Sequence, residues 1–136
     1  MAENNKGEVA PGLTEGQVQG PAATDCAAVM VYATFPSPEQ ALETGRKLVE
    51  AGLAACINIL PAMTSIYRWQ CTIETAHEAV LLAKTVPSRA EAVTAFIVAN
   101  HPYEIPAVVV IPIVAGSSSY LRWITDETAP ATRGAT

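Results

Sequence analysis

The amino-acid sequence predicts an α+β domain in which two helices cover one face of an antiparallel sheet. Three observations support this prediction. Apolar extended segments and amphipathic helical segments follow one another in the order β-α-β-β-α-β, both main helical segments begin with residues that favour a helix N-terminus, and a short helical segment ends the domain. This order is that of the split βαβ, ferredoxin-like arrangement.

The first strand and the first helix have the clearest signals. Residues 27–34 form an almost unbroken apolar run with β-branched and aromatic members, which is typical of a buried central strand. Ser37 and Gln40 match a capping box, and Pro38 suits the first helical position because it has no N–H to leave unpaired. Gly52 supplies a left-handed residue that ends the helix. Apolar residues recur at helical spacing between these ends: Ala41, Leu42, Gly45, Leu48 and Val49.

The second and third strands are predicted to form a long, bent hairpin. Residues 55–60 begin the second strand, Pro61 interrupts it, and residues 64–69 resume an extended pattern. The chain then returns through residues 78–86, which form the third strand.

The second helix and the loop after it follow directly. Ser88 and Glu91 match a second capping box. Residues 101–106 are a loop that two prolines hold open, because the residue before each proline is disfavoured in the α region. The apolar helical face between these points consists of Ala92, Val93, Phe96 and Ile97.

The last strand and a final helix complete the domain. Residues 107–114 are an apolar strand, in which Pro112 is tolerated only at a sheet edge or a bulge. The serines at 117–119 cap a short helix. The two main helices leave one sheet face and the apolar sheet edges uncovered, so we expect further copies of the chain to cover them.

The composition sets the domain organisation. The 136 residues fit one domain, for which we expect a disordered N-terminal tail at 1–25, a folded domain at 26–128 and a flexible C-terminal tail at 129–136. Hydrophobic residues make up 50% of the chain and charged residues only 15%. In so short a chain this favours burial of surface against a partner, with an alanine-rich monomer as the alternative.

Charge, hydropathy and cysteine content exclude several classes of protein. The net charge is −5 and the cations are scattered singly, so we expect no nucleic-acid partner. No segment approaches the roughly 20 apolar residues that span a bilayer, so we expect no membrane insertion. Cys26, Cys56 and Cys71 have no paired spacing, which favours a reducing, cytoplasmic compartment.

The sequence lacks the common catalytic patterns. It has no phosphate-binding Gly-rich loop, no HExxH and no CxxC. Acylphosphatase-type enzymes of this fold class need an arginine in the loop after the first strand, where this chain has TFPS at 34–37. We therefore predict a protein that is not an enzyme, with a small hydrolase that depends on Lys84 as the weakest alternative.

Five segments resemble the CutA divalent-cation tolerance family, in the family's order and spacing across residues 29–128. They are ACINI (55–59), TSIYRW (64–69), LLAKT (81–85), HPYEIP (101–106) and YLRW (120–123). The resemblance implies a stable homotrimer with a role in divalent metal tolerance, copper being the usual candidate ligand. It also implies a likeness to the trimeric PII signalling proteins, which hold ligands in clefts between subunits. It implies no required cofactor and no enzymatic reaction.

His101 is the leading candidate for a metal ligand. It lies three residues before Glu104, and an imidazole with a carboxylate can ligate a divalent metal. The alternative is that His101 orders the turn after the second helix. Cys56 matches a family cysteine described as a metal-responsive thiol, and its alternative role is that of a small buried hydrophobe.

Two departures from the family weaken the copper hypothesis. The split βαβ topology brings Ala33 near Asn100 and His101, and family members described as copper binders can carry a cysteine and a histidine where this chain has Ala33 and Asn100. Without that thiolate and that imidazole, we expect Cu(II) or another divalent cation to bind only weakly. The family also usually has glycine in place of Cys71, so the sequence leaves open whether the hairpin turn is tight.

A further set of residues is predicted to line an intersubunit ligand cleft. Lys84 is an isolated cation in an apolar strand, so it either pairs with a carboxylate such as Glu74 or Glu104 at a subunit boundary or faces the cleft. Aromatic side chains complete the set, and a protein–protein interface is their alternative role. The set is Tyr103, Lys84, Tyr67, Trp69 and Trp123.

Two functions follow from these predictions. The first is a trimeric, non-enzymatic protein of divalent metal ion tolerance, with a weak metal site near His101. The alternative is a PII-like regulator or scaffold that binds a small ligand or a protein partner in its intersubunit clefts.

Overall fold

The computed structural model of the chain describes residues 26–128, and the tails predicted at 1–25 and 129–136 lie outside these residues. One antiparallel sheet has the strand order β2-β3-β1-β4, which confirms the predicted α+β, split βαβ fold. The elements are β1 (Ala28–Phe35), α1 (Pro38–Glu50), β2 (Cys56–Trp69), β3 (Thr72–Thr85), α2 (Pro87–Ala99), β4 (Val108–Ile113) and α3 (Ser118–Glu127).

Helix α1 begins and ends as predicted. The Ser37 hydroxyl oxygen accepts a hydrogen bond from the backbone N–H of Gln40 at 3.2 Å. Gly52 has φ 74, a left-handed conformation that glycine adopts without a Cβ penalty. Within the helix, Gly45 allows close approach to β2, since a Cβ there would lie 2.7 Å from Cγ2 of Ile57.

The start of α2 differs from the prediction. Ser88 and Glu91 do not form a capping box, because Val86 is the N-cap residue and Pro87 lies in the first turn. Val86 makes no side-chain capping hydrogen bond. Proline is favoured at the first helical position because its φ is already helical and its missing N–H breaks no intrahelical bond. The helix therefore begins before the serine.

The hairpin of β2 and β3 stays paired on both sides of Pro61, where the sequence predicts an interruption. Leu60 pairs with Val80 and Met63 pairs with Glu78, so two β2 residues oppose one β3 residue between these pairs. This arrangement is a β-bulge, which keeps the strand paired while it bends the hairpin.

A two-residue turn joins these strands. Gln70 and Cys71 have φ values of 51 and 68, and positive φ at both central residues is typical of a type I′ hairpin turn. The tight turn forms with Cys71 in place of the family's usual glycine, because the paired strands on either side hold Cys71 in the left-handed region. As a consequence β3 begins at Thr72 rather than at residue 78.

Strand β4 and helix α3 complete the domain. Pro112 lies on an edge strand, as predicted, since β4 pairs only with β1. Ser117 is the N-cap residue of α3, but its hydroxyl contacts that of Ser119 and makes no capping bond to the backbone. Ile124 anchors the helix with no exposed surface. Within residues 26–128, every helix is too short or too polar to cross a membrane.

The two faces of the sheet have different environments. Val31, Ala33 and Phe35 alternate along β1 on the face that packs with α1 and α2. The opposite face is called the open face here. It carries the intervening β1 residues and the residues of neighbouring strands that pair with them. Helix α3 contacts β1 and β3 and covers one end of the open face. The open face includes Met30, Tyr32, Leu60, Leu82, Lys84, Val109 and Ile111.

Candidate ligand site

The sequence-predicted site residues lie in two groups at opposite ends of the sheet. One group surrounds the loop that enters β4, next to Thr34. The other lies at the start of β2, where Cys56 pairs with Lys84 and Lys84 with Met30. Met30 and Thr34 are four residues apart on β1, so roughly 13 Å of strand separates the groups. The first group contains His101, Tyr103, Glu104, Tyr67 and Trp69, and the second contains Cys56, Lys84 and Trp123.

His101 links the loop before β4 to the end of β1. Its Nε2 lies 2.6 Å from the backbone carbonyl oxygen of Thr34, and its Nδ1 lies 3.1 Å from the backbone nitrogen of Tyr103. A carbonyl can only accept and an amide N–H can only donate, so the proton is on Nε2 and the lone pair is on Nδ1. The ring also packs on that of Phe35, with centroids 4.5 Å apart. The predicted proximity of the first strand end and this loop is confirmed.

Tyr103 extends this contact into a part-buried polar network around Glu78. Its hydroxyl donates to Oε2 of Glu78 at 2.9 Å, and the hydroxyl of Ser65 donates to Oε1 at 2.6 Å. Glu78 is only 8% exposed. Burial, together with the hydrogen bond to the Glu78 carboxylate, raises the pKa of Tyr103 to about 12. Tyr103 is therefore a proton donor to Glu78 throughout the physiological pH range.

This network lines a cavity of about 690 Å³ on the open face. Tyr67, Trp69 and Tyr103 contribute aromatic walls, and Glu78 contributes the buried carboxylate. A mostly apolar cavity with a few convergent polar groups is typical of a small-molecule site. These three aromatic residues belong to the predicted cleft set and line the cavity. Glu104, which was predicted as a metal ligand, lines it as well.

Sequence reasoning missed the central residues of this cavity. In the sequence Glu78 marks only the start of a strand segment, and Ser65 lies within residues 64–69 with no distinctive signal of its own. The available signal was an acidic residue directly before the apolar segment AVLLA at 79–83. The contact with Ser65 depends on the bulge at Pro61, because the extra residue shifts the register of β2 against β3.

The second group forms a separate polar cluster. Lys84 Nζ donates to Oδ1 of Asn58 at 2.6 Å and lies 5.8 Å from the ring centroid of Tyr120. The thiol of Cys56 approaches the same Asn58 oxygen at 3.7 Å. Within one chain, Asn58 and the Tyr120 ring are the neighbours of the Lys84 ammonium group. The pairing with Glu74 or Glu104 was predicted at a subunit boundary and stays a prediction.

Trp123 and Cys56 complete the description of this end. Trp123 stacks on Tyr120, with ring centroids 5.6 Å apart. It lies apart from the cavity that Trp69 lines. Cys56 is half-buried rather than fully buried, and neither it nor Cys71 forms a disulfide within residues 26–128.

The predicted metal ligands do not converge within one chain. Among the described residues, no group of three or more His, Cys, Asp or Glu side chains has the arrangement of a metal site. Both nitrogens of His101 already take part in hydrogen bonds, and Cys56 lies at the far end of the sheet. A metal at His101 would have to displace the backbone N–H of Tyr103 or the carbonyl of Thr34.

Comparison with protein families gives a match over nearly the whole described domain. Residues 29–127 match the family model described as CutA1 divalent ion tolerance protein. A divalent-cation tolerance protein CutA from Thermus thermophilus is 41% identical over 99 residues, which cover 73% of this chain and 96% of that protein. A chloroplastic protein CutA from Arabidopsis thaliana is 37% identical over 100 residues, 74% of this chain. The chain spans only 55% of the Arabidopsis protein and 63% of a Xenopus laevis homologue.

Solved structures agree with this match. A divalent cation tolerance protein from Thermus thermophilus superimposes with a TM-score of 0.72 at 40% identity, covering 75% of this chain and 99% of that one. A divalent ion tolerance protein CutA1 from Ehrlichia chaffeensis gives a TM-score of 0.73 at 31% identity, covering 78% and 99% respectively.

Proposed function

Since the chain belongs to the CutA1 divalent ion tolerance family, we propose that it acts in divalent metal ion tolerance and homeostasis, as a homotrimer and without catalysing a reaction. The Thermus thermophilus relative is named for divalent-cation tolerance, and the proposal extends that role to this chain.

The observation that supports the assembled form is the apolar character of the open face. Leu60 and Val109 are 52% and 51% exposed there, and Ile111 is 38% exposed. Monomeric proteins rarely leave such side chains together in water, because contiguous apolar patches of this kind promote association. Three copies around a three-fold axis would cover these faces and the edges of β2 and β4.

Sedimentation and a cellular assay together test this proposal. Sedimentation equilibrium at micromolar concentration should give three times the subunit mass. A bacterial strain that lacks its own family member should regain growth under a Cu(II) challenge when it expresses this chain. A single-subunit mass would overturn the trimer, and unchanged growth despite normal expression would overturn the tolerance role.

We also propose that any metal binding near His101 and Glu104 is weak. The hydrogen bonds to both nitrogens of His101, and the distance to Cys56, support a weak site. Calorimetric titration of the trimer with Cu(II) should show no tight stoichiometric site. One tight site per subunit that is lost in His101→Ala, but kept in His77→Ala, would contradict this.

The cavity on the open face favours a second candidate function, that of a ligand-binding regulator or scaffold. Its aromatic walls and the buried Glu78 provide a defined site that requires no metal. A thermal-shift screen of small molecules without added metal tests this function, because a ligand that binds the folded state raises the melting temperature. A screen in which only metal ions raise it would favour the first function.

We propose a reducing, cytoplasmic compartment for this chain. Cys56 and Cys71 form no disulfide within the described residues. Relatives are named from other compartments, including a chloroplastic protein from Arabidopsis thaliana and a periplasmic one from Archaeoglobus fulgidus. Fractionation of the native cells with an antibody against the chain tests the proposal directly.

A further inference from the structure

Glu78 is a buried carboxylate that lacks a cationic partner among the described residues. Both of its oxygens accept hydrogen bonds from neutral hydroxyl groups, those of Ser65 and Tyr103. Neither hydroxyl carries a positive charge, and a buried charge is costly unless something neutralises it. A carboxylate has about four lone-pair sites, so the two hydroxyl donors leave acceptor capacity on Glu78, which lines the cavity.

The aromatic walls of the cavity favour a positively charged ligand, as the Glu78 carboxylate does. Tyr67, Trp69 and Tyr103 line it, and each is at least 36% exposed. The negative faces of aromatic rings attract cations, with indole the strongest of the natural side chains. Ile66 and Ile105 add apolar surface that suits the carbon skeleton of a ligand. A carboxylate within an aromatic and apolar cavity is the combination that recognises an organic cation.

From this geometry we infer that the cavity binds a small organic cation with N–H donors, an alkylammonium or alkylguanidinium, with its charged head on Glu78. Its alkyl part lies between the rings of Tyr67 and Trp69. This inference rests on the second candidate function, a ligand-binding regulator, and assigns the chemical class of its ligand.

Other occupants fit the cavity less well. A hard divalent cation takes at least six oxygen ligands, and the described residues provide no cluster of three or more metal-ligating side chains. A neutral apolar molecule would leave the Glu78 charge without compensation. The third alternative is that a neighbouring copy of the chain fills the cavity. In that case the assembled protein would bind none of the small ligands tested.

The two tryptophans of the chain provide a site-specific readout. Trp69 lines the cavity, whereas Trp123 stacks on Tyr120 at the other end of the sheet. Trp123→Phe leaves Trp69 as the only tryptophan, and Trp69→Phe leaves Trp123. Titration with butylguanidinium should change the emission of the Trp123→Phe protein in a saturable way. The emission of the Trp69→Phe protein should stay constant.

Matched ligands and variants test the role of the charge. Butylurea has nearly the shape of butylguanidinium without its charge. Calorimetry should show binding that is about tenfold or more weaker for butylurea than for butylguanidinium, and a similar loss for butylguanidinium on Glu78→Gln. Glu74→Gln removes an exposed carboxylate from the same strand outside the cavity, and should retain the wild-type affinity. Tyr67→Leu should also weaken binding while it leaves the Glu78 network intact.

The outcomes separate this inference from the proposed function. Equal affinity of butylurea and butylguanidinium, or an unchanged affinity in both Glu78→Gln and Tyr67→Leu, overturns the cation site. If Cu(II) displaces butylguanidinium from the unsubstituted protein and this competition is absent in Glu78→Gln, the site binds a metal and the cation inference is overturned. A trimer that binds no butylguanidinium overturns the inference and leaves the assembly intact. A single subunit that binds it supports the cation site and overturns only the trimer.

Discussion

At the scale of single residues, the hydrogen bond between Tyr103 and Glu78 can be tested directly by its contribution to the free energy of unfolding. Tyr103→Phe removes the donor and leaves Oε2 of a carboxylate that is 8% exposed without its partner. We expect a loss of about 1 kcal/mol in the free energy of unfolding, the usual cost of such a deletion at a partly exposed site. Urea denaturation at fixed protein concentration measures it. Tyr67→Phe is the control, because the Tyr67 hydroxyl forms no hydrogen bond within residues 26–128, and a loss as large in this control would contradict the assignment.

The same tyrosine should make stability depend on pH in the alkaline range. The pKa of Tyr103 is raised from 10.0 to about 12 in the folded chain, mainly by burial and the Glu78 hydrogen bond. Between these values the unfolded chain has lost this proton and the folded chain keeps it, so the free energy of unfolding falls as pH rises through this window. Below pH 10 this group contributes no slope. Urea denaturation across the window should give a shallower decline for Tyr103→Phe, and equal declines would contradict the assignment.

Single residues of the site could be predicted from the sequence only where local chemistry is distinctive. His101 stands out as an imidazole in a loop with two prolines, and the topology correctly brings it to the end of β1. Glu78 gives a weak local signal, because its burial depends on Tyr103 from a distant loop and on Ser65 across a bulged register. The contact of Lys84 with Asn58 gives no local signal either, since Asn58 comes from the neighbouring strand.

At the scale of elements, the β2–β3 turn holds backbone strain that one substitution can release. Cys71 has φ 68, and a left-handed conformation costs a residue with a Cβ about 1–2 kcal/mol. Glycine removes that cost but adds entropy to the unfolded chain, so we expect Cys71→Gly to raise the free energy of unfolding by about 0.5–1 kcal/mol. Thermal and urea unfolding measure the change. Cys71→Ser keeps the Cβ and removes the thiol, so equal stabilisation by serine would show that strain is not the cause.

The elements themselves were more predictable than their boundaries. Apolar runs and helical spacing identify all seven elements, because burial on one face determines both patterns. Boundaries depend on which of several local signals dominates. Pro87 starts α2 in preference to the Ser88 capping box, and the strand pairs on both sides of Pro61 bridge it with a bulge. A sequence motif shows that each signal is present, but the energies of neighbouring contacts decide between them.

At the scale of the whole molecule, the open face has a different chemical environment at each end. The end near the β4 loop contains the Glu78 cavity, and the other end contains the Lys84–Asn58 pair beside α3. The apolar strip between them includes Leu60 and Val109, both about half exposed. Assembly through this strip would bring both ends to subunit boundaries. Ligand binding at one end can then change the stability of the assembly without any catalytic step, because a ligand stabilises whichever state it binds.

Ile111→Lys tests whether the open face is the surface that associates. Ile111 lies on the edge strand β4 and is 38% exposed, so a lysine is tolerated in a single subunit but places an unpaired charge in an interface. We expect a lower sedimentation mass at micromolar concentration and a lower melting temperature, because association stabilises the folded chain by mass action. Leu42→Lys introduces the same charge at an α1 position that is 51% exposed, and should keep the assembly intact. If both variants keep the same mass as the unsubstituted chain, association does not depend on the open face, and the surface through which copies meet must be sought elsewhere on the domain.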